Sequence, residues 1–141
     1  MAEAQTRRSR LWNDDRGTAL IEMAFAAPLL VMLMLGIAGY GGYFWLAHSL
    51  QQTANDAARS AIAGLDSVER RALVEETVDD GLARISALDP ARASVAVEDD
   101  LTTLVVRLRY DASDSPFLAT SLIPLPSKVI ERTAAVRLGG L

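Results

Sequence analysis

Few residues in this sequence have the types and spacing to do chemistry. The clearest is the carboxylate of Glu22, five positions after Gly17 and at the mouth of an apolar run, Met23 to Ala47, that holds no Asp, Glu, Lys or Arg. An ionised side chain at the centre of a transmembrane helix costs about 2.5–3.5 kcal/mol on insertion scales, so a carboxylate there needs a counter-charge or a route to the interface. A second group is the acidic set Glu75, Glu76, Asp79 and Asp80. Helical carboxylates without a Gly-containing ligand loop usually form a solvated face, not a calcium site. His48 is the sole histidine and cysteine is absent, so His-pair zinc sites, thiolate ligands and disulfides are excluded. His48 reads as an interfacial polar residue. With no nucleophile and base at useful spacing and no phosphate-binding Gly loop, the expectation is a protein that is not an enzyme, with no catalytic residue, no cofactor and no metal.

The element that must position Glu22 is a helix. At ~1.5 Å per residue, about 20 apolar residues cross a ~30 Å hydrocarbon core, and the run after Glu22 has 25. Arg7, Arg8, Arg10 and Arg16 precede the span, whereas the flank after it, to Leu65, offers Arg59 alone. The positive-inside asymmetry places the N-terminus in the cytoplasm and residues 48–141 outside. The Arg cluster also suits contact with anionic lipid. A cleaved secretory signal is the alternative topology, but its apolar core spans about 7–15 residues, and the best small-residue site, Gly36-Ile37-Ala38, lies inside the run. Pro28 removes a backbone donor and is expected to kink or loosen the helix. Gly36, Gly39, Gly41 and Gly42 would let another helix approach closely, or reflect membrane tolerance of Gly. Tyr40, Tyr43, Phe44 and Trp45 read as an outer aromatic belt.

Beyond the span, Leu50, Ala54, Ala57, Ala58, Ala61, Ile62 and Leu65 fall on one stripe at helical spacing, with Gly64 as a stop. Asp66 with Glu69 three residues on opens a second helix, whose face is Val74, Val78, Leu82, Ile85 and Leu88 and whose end is Asp89-Pro90. The period then changes to two. Val95 and Val97 mark a short strand before a Glu98-Asp99-Asp100 turn, and Leu104, Val106, Leu108 and Tyr110 the inner face of a longer one. Phe117 to Pro126 is an apolar loop, and Lys128 to Leu138 a last strand with Ile130, Ala134, Val136 and Leu138 on one side. Three strands must bury one face on helices. The expected fold is therefore α+β: a long N-terminal transmembrane helix continuing into an extracytoplasmic head with a second helix and a small antiparallel three-stranded sheet. The divisions are residues 1–17 as a cytoplasmic leader, 18–47 as the membrane helix, 48–65 as its amphipathic continuation and 66–141 as the head. The chain carries a net charge of −4, near −5 without the first 17 residues, which disfavours nucleic acid as a partner.

A basic leader ending in Gly17, with Glu22 five residues on and an apolar helix beyond, resembles the class III signal read by prepilin peptidases. Together with Glu22-Met23-Ala24-Phe25-Ala26-Ala27-Pro28-Leu29-Leu30, Gly36 in mid-span and Ala57-Ala58-Arg59-Ser60-Ala61, it resembles the TadE-like pseudopilins of tight-adherence (Tad/Flp, type IVc) pilus systems. The resemblance covers residues 16 to about 63. One departure is Gly39, where family members often carry an acidic residue shortly before the Tyr-Gly pair, here Tyr40-Gly41.

The resemblance implies cleavage between Gly17 and Thr18 and a type IV pilin-like fold. It also implies a role in pilus biogenesis and adhesion as a minor pilin, with Glu22 neutralising the new amino terminus of a neighbouring subunit. Two charges too costly to bury singly become tolerable as a pair. The implied partners are other pilin or pseudopilin subunits through their N-terminal helices, prepilin peptidase, the inner-membrane assembly machinery and membrane lipid. The alternative from another class is an uncleaved, single-pass membrane-anchored extracytoplasmic binding domain in which Glu22 is merely interfacial.

Overall fold

A computed structural model describes residues 15–100, 102–115, 118, 124 and 127–139. The chain divides into two compact units, Met1–Ile37 and Ala38–Leu141. Helix α1, Asp15–Ser60, supplies all that is described of the first unit and opens the second. It contains Pro28 in its interior and is otherwise rich in Leu, Met and Ala, strong helix formers. In the first unit its large apolar side chains lie bare: Leu20, Ile21, Met23, Phe25 and Leu29 to Met34 are all more than half exposed.

In the second unit the same helix turns an Ala-rich face inward. Leu46, Leu50, Ala54, Ala57, Ala58 and Ala61 are buried there, with Val74, Val78 and Leu82 of α2 (Ser67–Ala83) and the inner faces of the sheet. Ile62 and Leu65 do not join them, contrary to the stripe expected from the sequence: they are 55% and 90% exposed. The α-helix has already ended at Ser60, and a 3-10 turn, Ala61–Ala63, changes the angular step before the chain extends at Gly64. Gly64 itself is extended (φ −75°, ψ 134°), so its value is not a left-handed turn. A Cβ there would lie 2.6–2.9 Å from the side chain and backbone of Arg70, and only Gly permits that approach.

Asp66 caps α2, its Oδ1 accepting from the amides of Val68 (2.9 Å) and Glu69 (2.8 Å). Glu69 reaches back to the amide of Leu65 (2.8 Å), one residue beyond the cap's own N–H. The helix stops at Ala83 rather than at Asp89-Pro90. From Arg84 the chain tightens into i to i+3 bonds, Ile85 N to Leu82 O and Leu88 N to Ile85 O, which deliver Leu88 to the core. There the Asp89 amide donates to the Tyr110 hydroxyl (3.1 Å), a bond to the sheet in place of one to the helix. Asp89-Pro90 opens a short 3-10 turn, with Asp89 accepting from Ala91 N.

The sheet is an antiparallel meander in the order β1 (Ala93–Asp99), β2 (Thr103–Asp111), β3 (Val129–Arg137). Register pairs Val97 with Val106 and Val106 with Ala134. Leu104, Val106, Leu108 and Tyr110 are buried, as their alternation requires, while Arg107 and Arg109 face out. Strand β1 runs on through Glu98 and Asp99, which the sequence assigns to a turn; the turn falls after them, where Asp100 accepts from the amides of Thr102 and Thr103. Asp99 is held in the strand because its inward side chain meets Arg70 at 2.8 Å, both side chains being nearly buried. The apolar loop expected over Phe117–Pro126 lies largely outside the described residues.

Candidate assembly helix

Every residue singled out for processing or assembly is carried by α1. Gly17 and Thr18 sit in its first turns, and Glu22 is exposed one turn on, between Ile21 and Met23, which are 62% and 64% exposed. The structure thus presents a carboxylate on a helical surface of Leu, Ile, Met and Phe without an ion pair of its own among the described residues. Pro28 lies six residues further along, within continuous α-helix. Arg7, Arg8 and Arg10 lie outside the described residues. Arg16 is in the first turn of α1.

The glycines divide by surroundings. Gly36 is half-buried, Gly39 buried, Gly42 half-buried and Gly41 exposed. A Cβ at Gly17 or Gly41 would meet nothing within 4 Å, so no contact among the described residues demands Gly at either position. The aromatic group also divides. Tyr43 packs on the core of the second unit, and the Tyr40 hydroxyl donates to the carbonyl of Pro124 (2.6 Å). Phe44 and Trp45 stay 64% and 47% exposed, and Phe44 meets Tyr43 edge to face with ring centres 5.8 Å apart. His48 is exposed.

Glu75, Glu76, Asp79 and Asp80 all lie on the exposed side of α2, and no group of three or more His, Asp or Glu among the described residues could hold a metal ion. A cavity of about 300 Å³ is lined by Trp45, Leu88, Tyr110 and Arg92 among others. Its charged groups already have partners: Arg92 pairs with Asp114, Asp89 accepts from the neighbouring Ala91 N, and Asp111 from the neighbouring Ser113 N. The carboxyls of Asp100 and Asp111, both at turns, titrate below the ordinary range. Asp100 is held down first by the Thr103 amide and then by Thr102, and Asp111 first by the Ser113 hydroxyl and then by its amide.

What sequence reading missed are the contacts that knit the second unit. Gly81 of α2 faces Thr53 of α1 so closely that a Cβ would sit 2.9 Å from the Thr53 methyl. Arg70, besides its pair with Asp99, donates to the Gly64 carbonyl (3.2 Å). A lone Gly inside a helical pattern was the available signal for the first. None existed for the second.

The architecture defines an α+β protein with one helix apolar and long enough to serve as a single-pass membrane anchor, at a mean hydropathy of 2.3 in its most apolar window. Comparison with known families adds one finding: residues 17–59 match the family described as TadE-like protein, which bears out the TadE-like resemblance over that stretch. The matched residues lie wholly in α1. The family is structural rather than enzymatic and relates to the Tad pilus. No curated protein and no solved structure matches the chain.

Proposed function

We propose that the protein is a minor pilin or pseudopilin of a Tad (type IVc) pilus, processed by prepilin peptidase after Gly17 and assembled through its N-terminal helix. In this reading the protein sits in the inner membrane with the N-terminus cytoplasmic and residues beyond the span outside. The observation that carries the proposal is Glu22: an exposed carboxylate on an apolar helical surface, five residues after Gly17, inside the stretch that matches the TadE-like family.

Cleavage at Gly17–Thr18 would create an α-amino group with a reference pKa of about 7.7–8.0, cationic at neutral pH. The mature Thr18 amine of one subunit then supplies the counter-charge that Glu22 of its neighbour lacks. In low dielectric that pairing selects one register between helices, because any other leaves two uncompensated charges. The bare Leu, Met and Phe side chains around it supply the packing surface, and Gly36, Gly41 and Gly42, which are not buried by their own chain, the close approach.

Intact mass of the protein from its native membrane, with and without the peptidase, tests the processing step. A chain beginning at Thr18 only when the peptidase is present supports it, and a start near Met1 in both overturns it. For the pairing step, Glu22→Ala should leave insertion unchanged and cut pilus assembly; normal pili from that variant would sink it. A second reading, an uncleaved anchor presenting a binding domain, is favoured by one observation: the Gly17–Thr18 bond lies within α-helix here.

A further inference from the structure

The apolar run Met23–Ala47 has 25 residues, and a ~30 Å hydrocarbon core takes about 20, so hydropathy leaves open which of them are immersed. The second unit, which begins at Ala38, narrows the choice. Its part of the run is not bare helix: Gly39, Leu46 and Ala47 are buried and Tyr43 packs on the core.

Two observations bound the hydrocarbon on this side. Trp45 lines the cavity of about 300 Å³ together with Asp89, Arg92, Asp111 and Asp114. Charged side chains are expelled from hydrocarbon, so this level lies in water or among lipid headgroups. Five residues earlier, about 7.5 Å along the helix, the Tyr40 hydroxyl donates to the carbonyl of Pro124 (2.6 Å). Pro124 is exposed and belongs to no helix or strand. Irregular backbone does not face lipid inside the hydrocarbon layer, because its polar groups would find no water there. The layer therefore ends before Tyr40.

We propose that the second unit rests in the lipid headgroup layer on Tyr40, Phe44, Trp45 and Pro124, and that the outer hydrocarbon boundary falls at Ala38 rather than at Ala47. The partner is a phospholipid surface, because the helix that carries Tyr40, Phe44 and Trp45 is the one that spans. Phe44 and Trp45 are exposed, and such rings favour the headgroup level. Counting back, the 20 residues from Thr18 to Ile37 cover about 30 Å and put the other boundary at Thr18, with Arg16 just beyond it. Glu22 then lies about 6 Å inside the hydrocarbon. A boundary at Ala47 would leave Glu22 among headgroups, where a carboxylate needs no counter-charge. The seat of the second unit thus makes Glu22 an immersed carboxylate instead of an interfacial one. This inference rests on the single-pass anchor, not on processing or pilus assembly.

The absence of native cysteine lets single cysteines report depth. Full-length chains carrying Met23→Cys, Leu33→Cys, Gly41→Cys or Asp56→Cys are reconstituted in phosphatidylcholine liposomes, checked by flotation and labelled with N-ethylmaleimide, which crosses the bilayer and so reads either orientation. Met23, Leu33 and Asp56 are exposed, and a Cβ at Gly41 meets nothing within 4 Å, so the described chain shields none of the four thiols. Maleimide reacts with the thiolate, which water supports and hydrocarbon suppresses. Met23 and Leu33 each lie about 7.5 Å inside the proposed boundaries and Gly41 about 4.5 Å outside. Gly41→Cys should therefore label at least about tenfold faster than Met23→Cys or Leu33→Cys, approaching Asp56→Cys. Labelling of Gly41→Cys no faster than that of Met23→Cys, as a core centred on the whole apolar run requires, overturns the boundary and leaves the anchor standing. Chains that do not float with the liposomes overturn both.

Discussion

Gly81→Ala is the perturbation whose outcome follows most directly from the geometry. Gly81 lies inside α2, where Ala is intrinsically better by about 1 kcal/mol. Its added methyl would sit 2.9 Å from the Thr53 methyl and 3.2 Å from the Thr53 hydroxyl oxygen. Thr53 is 6% exposed, and its hydroxyl donates to the Ser49 carbonyl (3.1 Å), so it has little room to yield. Overpacking of this kind costs about 1–3 kcal/mol, and the net effect should be destabilising by up to about 2 kcal/mol. Thr53→Ala removes both offending atoms. In that background the methyl added at position 81 enters the space Thr53 vacates, and Gly81→Ala should become stabilising by about 1 kcal/mol. The double-mutant cycle, read by urea unfolding of the full chain in mild detergent through Trp45 fluorescence with Trp12→Phe, should give a coupling of about 1–3 kcal/mol. Coupling below about 0.5 kcal/mol, the scatter of independent sites, would mean that α1 and α2 do not meet at this point.

Arg70→Met should cost about 3–5 kcal/mol in the same assay, because it leaves the nearly buried Asp99 carboxylate without its guanidinium and strips a donor from the Gly64 carbonyl. A loss below about 1 kcal/mol, the range of solvated pairs, would show that water reaches this one. Asp100→Ala should lower the unfolding midpoint at pH 7 and have progressively less effect in acid. The folded carboxyl is held below its ordinary 3.8 by the Thr103 amide, so its contribution is full above that value and is lost as pH falls through the lower, folded one. Midpoints measured from neutral pH down into strong acid would check this, and a difference between variant and parent that holds constant throughout would contradict it.

The elements were legible where one periodicity governed a long stretch. Strand β2 could be read residue by residue because Leu104, Val106, Leu108 and Tyr110 alternate with side chains that want water. The cap of α2 was legible because Asp66 and Glu69 act through neighbouring amides. Ends set by distant partners were not. Nothing local in Ile85 to Leu88 reveals that Tyr110 takes the Asp89 amide and the helix stops early, nor does Glu98-Asp99 reveal that Arg70 keeps Asp99 in a strand. In the candidate site, Gly17 and Glu22 were legible because the span makes any carboxylate conspicuous. The part played by Tyr40 and Tyr43 was hidden, since an aromatic at an interface and one against a protein core have the same composition.

Helix α1 poses the same problem along its length, and residue size resolves it. The stretch to Ile37 is apolar almost throughout and bare, whereas from Leu46 one face stays apolar and is buried by its own chain. From Leu29 to Leu35 the bare stretch is all Leu, Val and Met, although alanines precede it; the buried face is Ala47, Ala54, Ala57, Ala58 and Ala61 around two leucines. Large side chains maximise contact with a fluid surround, whereas small ones let a second helix and a sheet close on the axis. Thr53 against Gly81 is the limit of that approach, with a methyl on one helix and none on the other. Replacing Ala57, 0% exposed, by Leu would therefore push the packed elements apart at overpacking cost, although it makes the helix more apolar. Hydropathy alone ranks that change as favourable; the size rule ranks it as damaging.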